Sequence, residues 1–249
     1  MRNVLITGGS KRIGRRITER LVQGGWSVAI HYNGSNEAAE EAAEEARAAG
    51  VKAVTVSADL EDESTYKGLI AEAVDGLGPL TALVNNASIF QDDPDDDPAI
   101  WAKHMAVHVR APYMLTKALA AGLAEGASGA VVNIVDQRVL NPTKHFPGYS
   151  ISKMALWDQT QVLARALAPR VRVNAVGPGP VLPSTRQSDE DFQAQAAQTP
   201  LARAVEPEEI AAAVAYLLDA QAVTGQIIAV DSGQHLNWAY ETDETAPRE

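Results

Sequence analysis

The chain has 249 residues, with 21 basic and 32 acidic side chains giving a net charge of -11, and no cysteine. This length suits one α/β domain with a sizeable core, expected to span residues 1–249 with an acidic tail over about 237–249. The acidic balance argues against a nucleic-acid or anionic-membrane surface, so small molecules or other proteins are the expected partners. Without cysteine, disulfides, thiolate nucleophiles and cysteine-based metal sites are excluded. The N-terminal "MRNVLITGGS" enters an apolar strand at once, without the apolar run and cleavage site of a signal peptide, and no apolar run approaches the roughly 20 residues of a membrane helix. A cytoplasmic protein is the expectation.

In chain order, "NVLITG", "SVAIHY", "KAVTVS", "TALVNN", "GAVVNIVD", "VRVNAVG" and "QIIAVD" read as seven strands, each apolar enough to be buried on both faces. Amphipathic stretches alternate with them. Ile13, Ile17 and Leu21 recur at four-residue spacing. In "EAAEEAAEEARAAG" the side chains of Glu37, Glu41, Glu44 and Glu45 line a solvated face, and Gly50 stops the helix. Strict alternation of strand and helix implies a Rossmann-type, doubly wound seven-stranded parallel sheet with helices on both faces. Two segments interrupt the rhythm, both at strand carboxyl ends, where such sheets bind ligands. "FQDDPDDDPAIW" reads as a solvated loop ending in a proline-marked helix start. "PGPVLPSTRQSDEDFQAQAAQTP" reads as a long connection forming a substrate lid.

The first strand runs into "TGGSKRIG", residues 7–14, whose glycines permit a tight turn and whose helix start offers N–H groups to a pyrophosphate. Nicotinamide dinucleotide sites without a 2'-phosphate place a carboxylate at the end of strand two. Here that end reads His31, Tyr32, Asn33, while Lys11 and Arg12 supply positive charge from the glycine turn. The inferred cofactor is therefore NADPH. Farther on, "YSISK" places Tyr149 and Lys153 one helical turn apart on one face. A phenol ionises near pH ~10, so proton exchange near neutrality needs a neighbouring cation.

These features together resemble the short-chain dehydrogenase/reductase family over roughly residues 2–236. The glycine turn is similar to T-G-x-x-x-G-x-G with Arg12 in place of the middle glycine. "ADL" with Asp59 and Leu60 resembles the adenine-contacting turn, and "NNAS" with Asn86, Ala87 and Ser88 resembles N-N-A-G after strand four. "VGPGPV", with Pro178, Gly179 and Val181, resembles the segment over the nicotinamide, and "VDSGQHL" the closing segment. By this resemblance Gly8, Lys11, Arg12, Ile13, Gly14, His31, Tyr32 and Asn33 also face the cofactor, Tyr149 exchanges the proton, and Lys153 lowers its pKa and holds the ribose. Family resemblance further implies a homotetramer or homodimer, pairing through the helices after strands four and five.

The family's usual serine, thirteen residues before the tyrosine, is replaced by Asp136. An ionised carboxylate only accepts hydrogen bonds and repels the negative charge of a ketone under reduction. A C=N substrate carrying N–H groups fits better. Together with Arg12, Ser88 and Phe90 ("NNASIF"), Asp136, Tyr149 and Lys153 resemble the pteridine and dihydromonapterin reductase branch. There Phe90 would sandwich a flat heterocycle against nicotinamide, Arg12 would approach pyrophosphate and pterin, and Ser88 would touch cofactor phosphate. His108 stands where most of the family has an asparagine supporting the lysine and a water relay; histidine can also pass protons. The expected activity is NADPH-dependent reduction of a pterin-like C=N heterocycle. The alternatives are a carbonyl or 3-oxoacyl-thioester ketoreductase and a non-catalytic NADP-binding regulatory protein.

Overall fold

The computed structural model describes residues 2–91, 97–183 and 187–236. Asp92–Asp96 of the acidic run, residues 184–186 of the expected lid and the tail from 237 lie outside the described residues. The strands are β1 (Asn3–Ile6), β2 (Ser27–Tyr32), β3 (Ala53–Ser57), β4 (Ala82–Asn85), β5 (Gly129–Ile134), β6 (Val171–Pro178) and β7 (Ile227–Val230). The helices are α1 (Arg12–Gln23), α2 (Asn36–Ala48), α3 (Tyr66–Leu77), α4 (Pro98–Met105), α5 (Ala111–Gly122), α6 (Pro147–Leu167), α7 (Asp189–Ala197) and α8 (Pro207–Asp219). All seven expected strands form, in the parallel order β3-β2-β1-β4-β5-β6-β7. The chain reverses its direction of travel between β1 and β4, where the carboxyl ends of the strands open a crevice.

Alternation along the strands divides the core. Val4, Ile6, Val28, Ile30 and Val132 face one side with Ile17 and Leu21 of α1 and Ile210, Val214 and Leu217 of α8. Leu5, Ala29, Leu83, Val131 and Val173 face the other with Leu69 of α3, Leu115 of α5 and Leu163 of α6. This is the period-2 geometry of strands between two helical layers. In α2 the buried stripe is only alanine, at 39, 42, 43 and 46, so the helix lies close to the sheet while its glutamates stay in solvent.

Three local features shape the site. Asp97 caps α4 by accepting the Ala99 N–H at 2.8 Å, with Pro98 in the first turn, as the sequence leads one to expect. Between α4 and α5 a π-helical turn over Ala106–Arg110 breaks the α register. The connection after β6, expected as an irregular lid, instead contains α7, which Ser188 caps by accepting the Asp191 N–H at 3.1 Å. Ser188 followed by three acidic residues is a helix-start signal that complements the helix dipole. No helix among the described residues is long and apolar enough to cross a membrane.

Candidate active site

The crevice floor is the turn from β1 into α1. Gly8 has φ +62, and Gly14 has no room for a side chain: a Cβ there would lie 2.0 Å from the Gly8 carbonyl oxygen. The Asn86 amide locks this turn by donating to the carbonyls of Thr7 at 2.9 Å and Gly8 at 3.0 Å. Thr7 Oγ1 accepts the N–H groups of Asn86 and Ala87, both at 3.0 Å. The start of α1 has no side-chain cap and no acidic residue in its first turn, leaving its amides suited to an anion.

His31 and Asn86 both hold the glycine turn through their side chains. His31 is buried. Its Nδ1 accepts the Gly8 N–H at 3.0 Å and its Nε2, 3.1 Å from the Ala58 carbonyl, donates to it. An amide N–H can only donate and a carbonyl can only accept, so the ring is neutral with its proton on Nε2. Burial lowers the His31 pKa in keeping with this. Both side chains shape the glycine turn from behind, because an inward-facing position at the end of β2 spends its polar atoms on the backbone. Lys11 and Asn33 are exposed beside the turn, Ile13 is half-buried, and the Tyr32 hydroxyl donates to Asn36 at 2.9 Å. Asp59 holds its own turn by accepting the Glu61 N–H at 2.9 Å, and Leu60 is core.

Arg12, in the position of the missing glycine, has φ +51, a left-handed conformation disfavoured for a side chain with a Cβ. Its guanidinium donates to the Pro183 carbonyl at 3.1 Å, tying the glycine turn to the connection after β6. On that connection Pro178 and Val181 are buried, and Gly179 lies so close to Asp231 that a Cβ would come within 2.6 Å of its Cα.

Across the crevice, β5 delivers Asp136 and α6 delivers Tyr149 and Lys153. Asp136 caps the short turn Gln137–Val139: Oδ1 accepts the Arg138 N–H at 2.8 Å. Oδ2 accepts the Tyr149 hydroxyl at 3.0 Å and stands 3.6 Å from the Arg138 guanidinium. Lys153 is buried, donates from Nζ to the Ile134 carbonyl at 2.9 Å and lies 5.8 Å from the centre of the Tyr149 ring. Burial first, and then the Asp136 charge, push Tyr149 well above the ordinary phenol value, while Arg138 and Ser88 act in the opposite direction. Burial lowers Lys153 to about 8, against the pull of Asp136. At neutral pH the pair is a neutral phenol beside an ammonium.

Phe90 lies at the mouth of this cluster, 4.8 Å from Tyr149 edge-on and 4.7 Å from Phe146. Ser88 is exposed two residues earlier. Phe146 and Arg138 complete the wall, with the guanidinium 6.0 Å from the Phe146 ring centre, and neither stands out in the sequence. Phe146 adopts φ +52 immediately before Pro147, an angle that turns the chain into α6. An aromatic residue before a proline at a helix start is the only sequence signal for it. The structure thus gathers Phe90, Asp136, Tyr149 and Lys153 in one cluster at the carboxyl ends of β4 and β5, while Arg12 stands at the glycine turn after β1 and reaches the connection after β6. It can place a flat ring against aromatic faces beside a proton donor, an acceptor-only carboxylate and a cation.

Residues 8–235 match the family described as enoyl-(acyl carrier protein) reductase. A solved structure of FolM alternative dihydrofolate reductase 1 from Brucella canis, complexed with NADP, superposes with a TM-score of 0.93 at 46% identity, covering 96% of each chain. The granaticin polyketide synthase putative ketoacyl reductase 2 of Streptomyces violaceoruber is 35% identical over 93% of this chain and 95% of its own. The 3-oxoacyl-[acyl-carrier-protein] reductase of Staphylococcus aureus is 33% identical over 94% and 98%. The coverage is nearly complete on both sides, and the matched span contains the glycine turn, Asp136, Tyr149 and Lys153: the chain belongs to the short-chain dehydrogenase/reductase family of oxidoreductases.

Proposed function

We propose that the protein is an NADPH-dependent reductase of a pterin-like heterocycle, acting at a C=N bond, with cofactor and substrate held by one domain. The observation that carries this reading is the hydrogen bond from Tyr149 to Asp136 Oδ2. It puts an acceptor-only group beside the proton donor, where a ketone would need a neutral donor. The likeness to the NADP-bound alternative dihydrofolate reductase 1 of Brucella canis supports it.

The residues present fit the dinucleotide. Gly8 and Gly14 let the turn fold tightly against Asn86 and Ala87, where a Cβ would collide, the first turn of α1 is uncapped, and Lys11 and Arg12 bring positive charge with no carboxylate at His31–Asn33. When bound, the reduced nicotinamide supplies a hydride. Lys153 holds the ribose and stabilises negative charge on Tyr149. Asp136 Oδ2 accepts a substrate N–H and so fixes the ring's orientation, and Phe90 covers a ring face. The Tyr149 hydroxyl gives its proton to the substrate nitrogen that receives the electron pair of the C=N bond, so hydride and proton together saturate that bond.

A ketoreductase of β-keto thioesters is the second reading, favoured by the names of the Streptomyces and Staphylococcus relatives. A panel of NADPH oxidation rates with dihydropterins, dihydrofolate, acetoacetyl thioesters and simple ketones separates the two. Turnover of thioesters at much higher kcat/KM than dihydropterins refutes the pterin reading, and no turnover of any of them favours a regulatory NADP-binding role. We also propose a homodimer or homotetramer. Tyr113 and Met114 of α5 and Ile151 and Val162 of α6 are exposed at 43, 47, 45 and 65%. Such apolar exposure on neighbouring helices fits burial against a second copy. Light scattering reads the mass.

A further inference from the structure

His108 has no role in the chemistry above, yet it is buried behind the site at 1% exposure, turned inward by the π-helical turn Ala106–Arg110. Its Nε2 accepts the backbone N–H of Ile89 at 3.1 Å, with the Ser88 hydroxyl oxygen 3.0 Å away. Its Nδ1 is 2.8 Å from Ser152 Oγ, and that hydroxyl donates onward to the Tyr149 carbonyl at 2.6 Å.

The chain of bonds has one consistent direction. An amide N–H only donates, so Nε2 carries a lone pair, and a neutral imidazole then holds its single proton on Nδ1. Nδ1–H donates to Ser152, whose own proton is committed to Tyr149. Burial holds His108 well below the ordinary histidine value. The titratable groups packed against it are Lys153 and Tyr149 from α6 and His104 from α4, the last stacked at 5.6 Å. Lys153 and His104 both disfavour a second positive charge there.

We propose that His108, as a neutral imidazole protonated on Nδ1, is a positioning residue that fixes the Phe90 wall relative to the Tyr149 hydroxyl. Ile89 directly precedes Phe90, and the carbonyl at the other end of the chain belongs to Tyr149 itself. One ring thus spans the loop after β4 and the first turn of α6, two elements with no common strand. A brace of this kind sets where a planar substrate lies relative to its proton donor, and small displacements there are costly. The ring holds rather than relays: Nε2 faces the Ile89 amide, which gives up no proton, and Lys153 and His104 disfavour a second ring proton.

The kinetic consequence rests on the proposed reductase reading; the position of the ring proton does not. Nitrogen-15 NMR of histidine-labelled protein, with the His108→Asn variant identifying the resonances, reads the tautomer directly. The expected result is a neutral Nδ1–H ring that does not titrate between about pH 5.5 and 8. An Nε2–H ring, or titration near the ordinary value, overturns the brace. Asparagine reproduces the donor to Ser152 but is too short to accept from Ile89. With dihydropterin and NADPH, H108N should raise KM for the pterin about tenfold and leave kcat within about twofold, the scale of losing one buried hydrogen bond. An unchanged pterin KM with a fallen kcat overturns the positioning role. If wild type turns over no dihydropterin, the reductase reading fails, and the NMR result alone decides the brace.

Discussion

Replacing Asp136 by serine tests why a carboxylate stands beside the proton donor. Asp136 Oδ2 accepts the Tyr149 hydroxyl at 3.0 Å, so the aspartate charge opposes any negative charge developing on the phenol or on a bound carbonyl oxygen. Two unit charges about 4 Å apart in an effective dielectric of about 20 interact by about 4 kcal/mol. The Arg138 guanidinium, 3.6 Å from the same oxygen, offsets part of this. If half remains, about 2 kcal/mol, relief of that repulsion raises kcat/KM for a simple ketone by about 30-fold. For a dihydropterin the same change removes the acceptor of the substrate N–H and costs about a hundredfold. The ratio of the two efficiencies should then move by about three orders of magnitude.

The fold should tolerate the change. Asp136 also caps the Gln137–Val139 turn through the Arg138 N–H, and serine caps about as well as aspartate. Melting temperature should thus fall little, separating chemistry from folding. The assay is NADPH oxidation at 340 nm with each substrate class, wild type against Asp136→Ser. A ratio unchanged within assay error, with melting temperature intact, refutes the argument that Asp136 selects the substrate.

The other expectations rest on separate observations. Phe90→Ala should reduce turnover of a planar substrate several-fold, since aromatic stacking contributes about 1 kcal/mol beyond burial, while calorimetric NADPH affinity stays constant; a collapse in melting temperature without a kinetic change would make Phe90 a core residue. Arg12→Gly should raise the melting temperature by about 2 °C, because relief of a left-handed side chain outweighs the entropy of glycine, yet lower activity by loss of the guanidinium; a lower melting temperature contradicts the strain. For His31, whose folded pKa is depressed by burial, the stabilising contribution is complete above the unfolded value and lost as pH falls below it. Unfolding free energies from urea titrations should therefore decline below pH ~6.5 by up to about 1.4 kcal/mol per pH unit, and less steeply in His31→Gln; parallel slopes refute this. Lys153, lowered to about 8, should give a descending limb in kcat/KM near that pH, moved upward in Lys153→Arg; a limb unmoved by arginine belongs to another group.

Elements whose cause is local were legible in the sequence. Short β-branched runs gave all seven strands, and the four-residue spacing of Ile13, Ile17 and Leu21 marked the inner face of α1. Tyr149 and Lys153 needed only helical periodicity to share a face. Features decided by distant contacts were not legible. "AVHVR" has an ordinary helical pattern, and its π turn follows from packing between α4, α5 and α6. Likewise "HYN" at the end of β2 shows which polar residues end the strand, but not that His31 spends both ring nitrogens on Gly8 and Ala58, which depends on its burial there. Phe146 and Arg138 reach the site through a left-handed residue and a short turn, neither of which a periodicity can signal. The helix α7 is a different case, since Ser188 and its acidic followers are a local helix-start signal within a stretch read only as a long connection.

Charge balance explains how the site can keep Asp136 at all. A lone carboxylate against a buried phenol would hold the proton on tyrosine and disable it as a donor. Two cations oppose that effect from different directions. Arg138 lies against the carboxylate oxygen itself, and Lys153 lies under the ring, its Nζ anchored to Ile134. The aspartate can therefore remain an acceptor for a substrate N–H without leaving the phenol beside an uncompensated charge. Substituting serine alone tests only one side of this balance. Removal of Arg138 along with Asp136 should restore part of the ketone activity lost in an Arg138→Gln single variant, because the carboxylate needs the guanidinium only while it is charged. Additive effects of the two changes in that double-mutant cycle would show that Arg138 and Asp136 act independently on Tyr149.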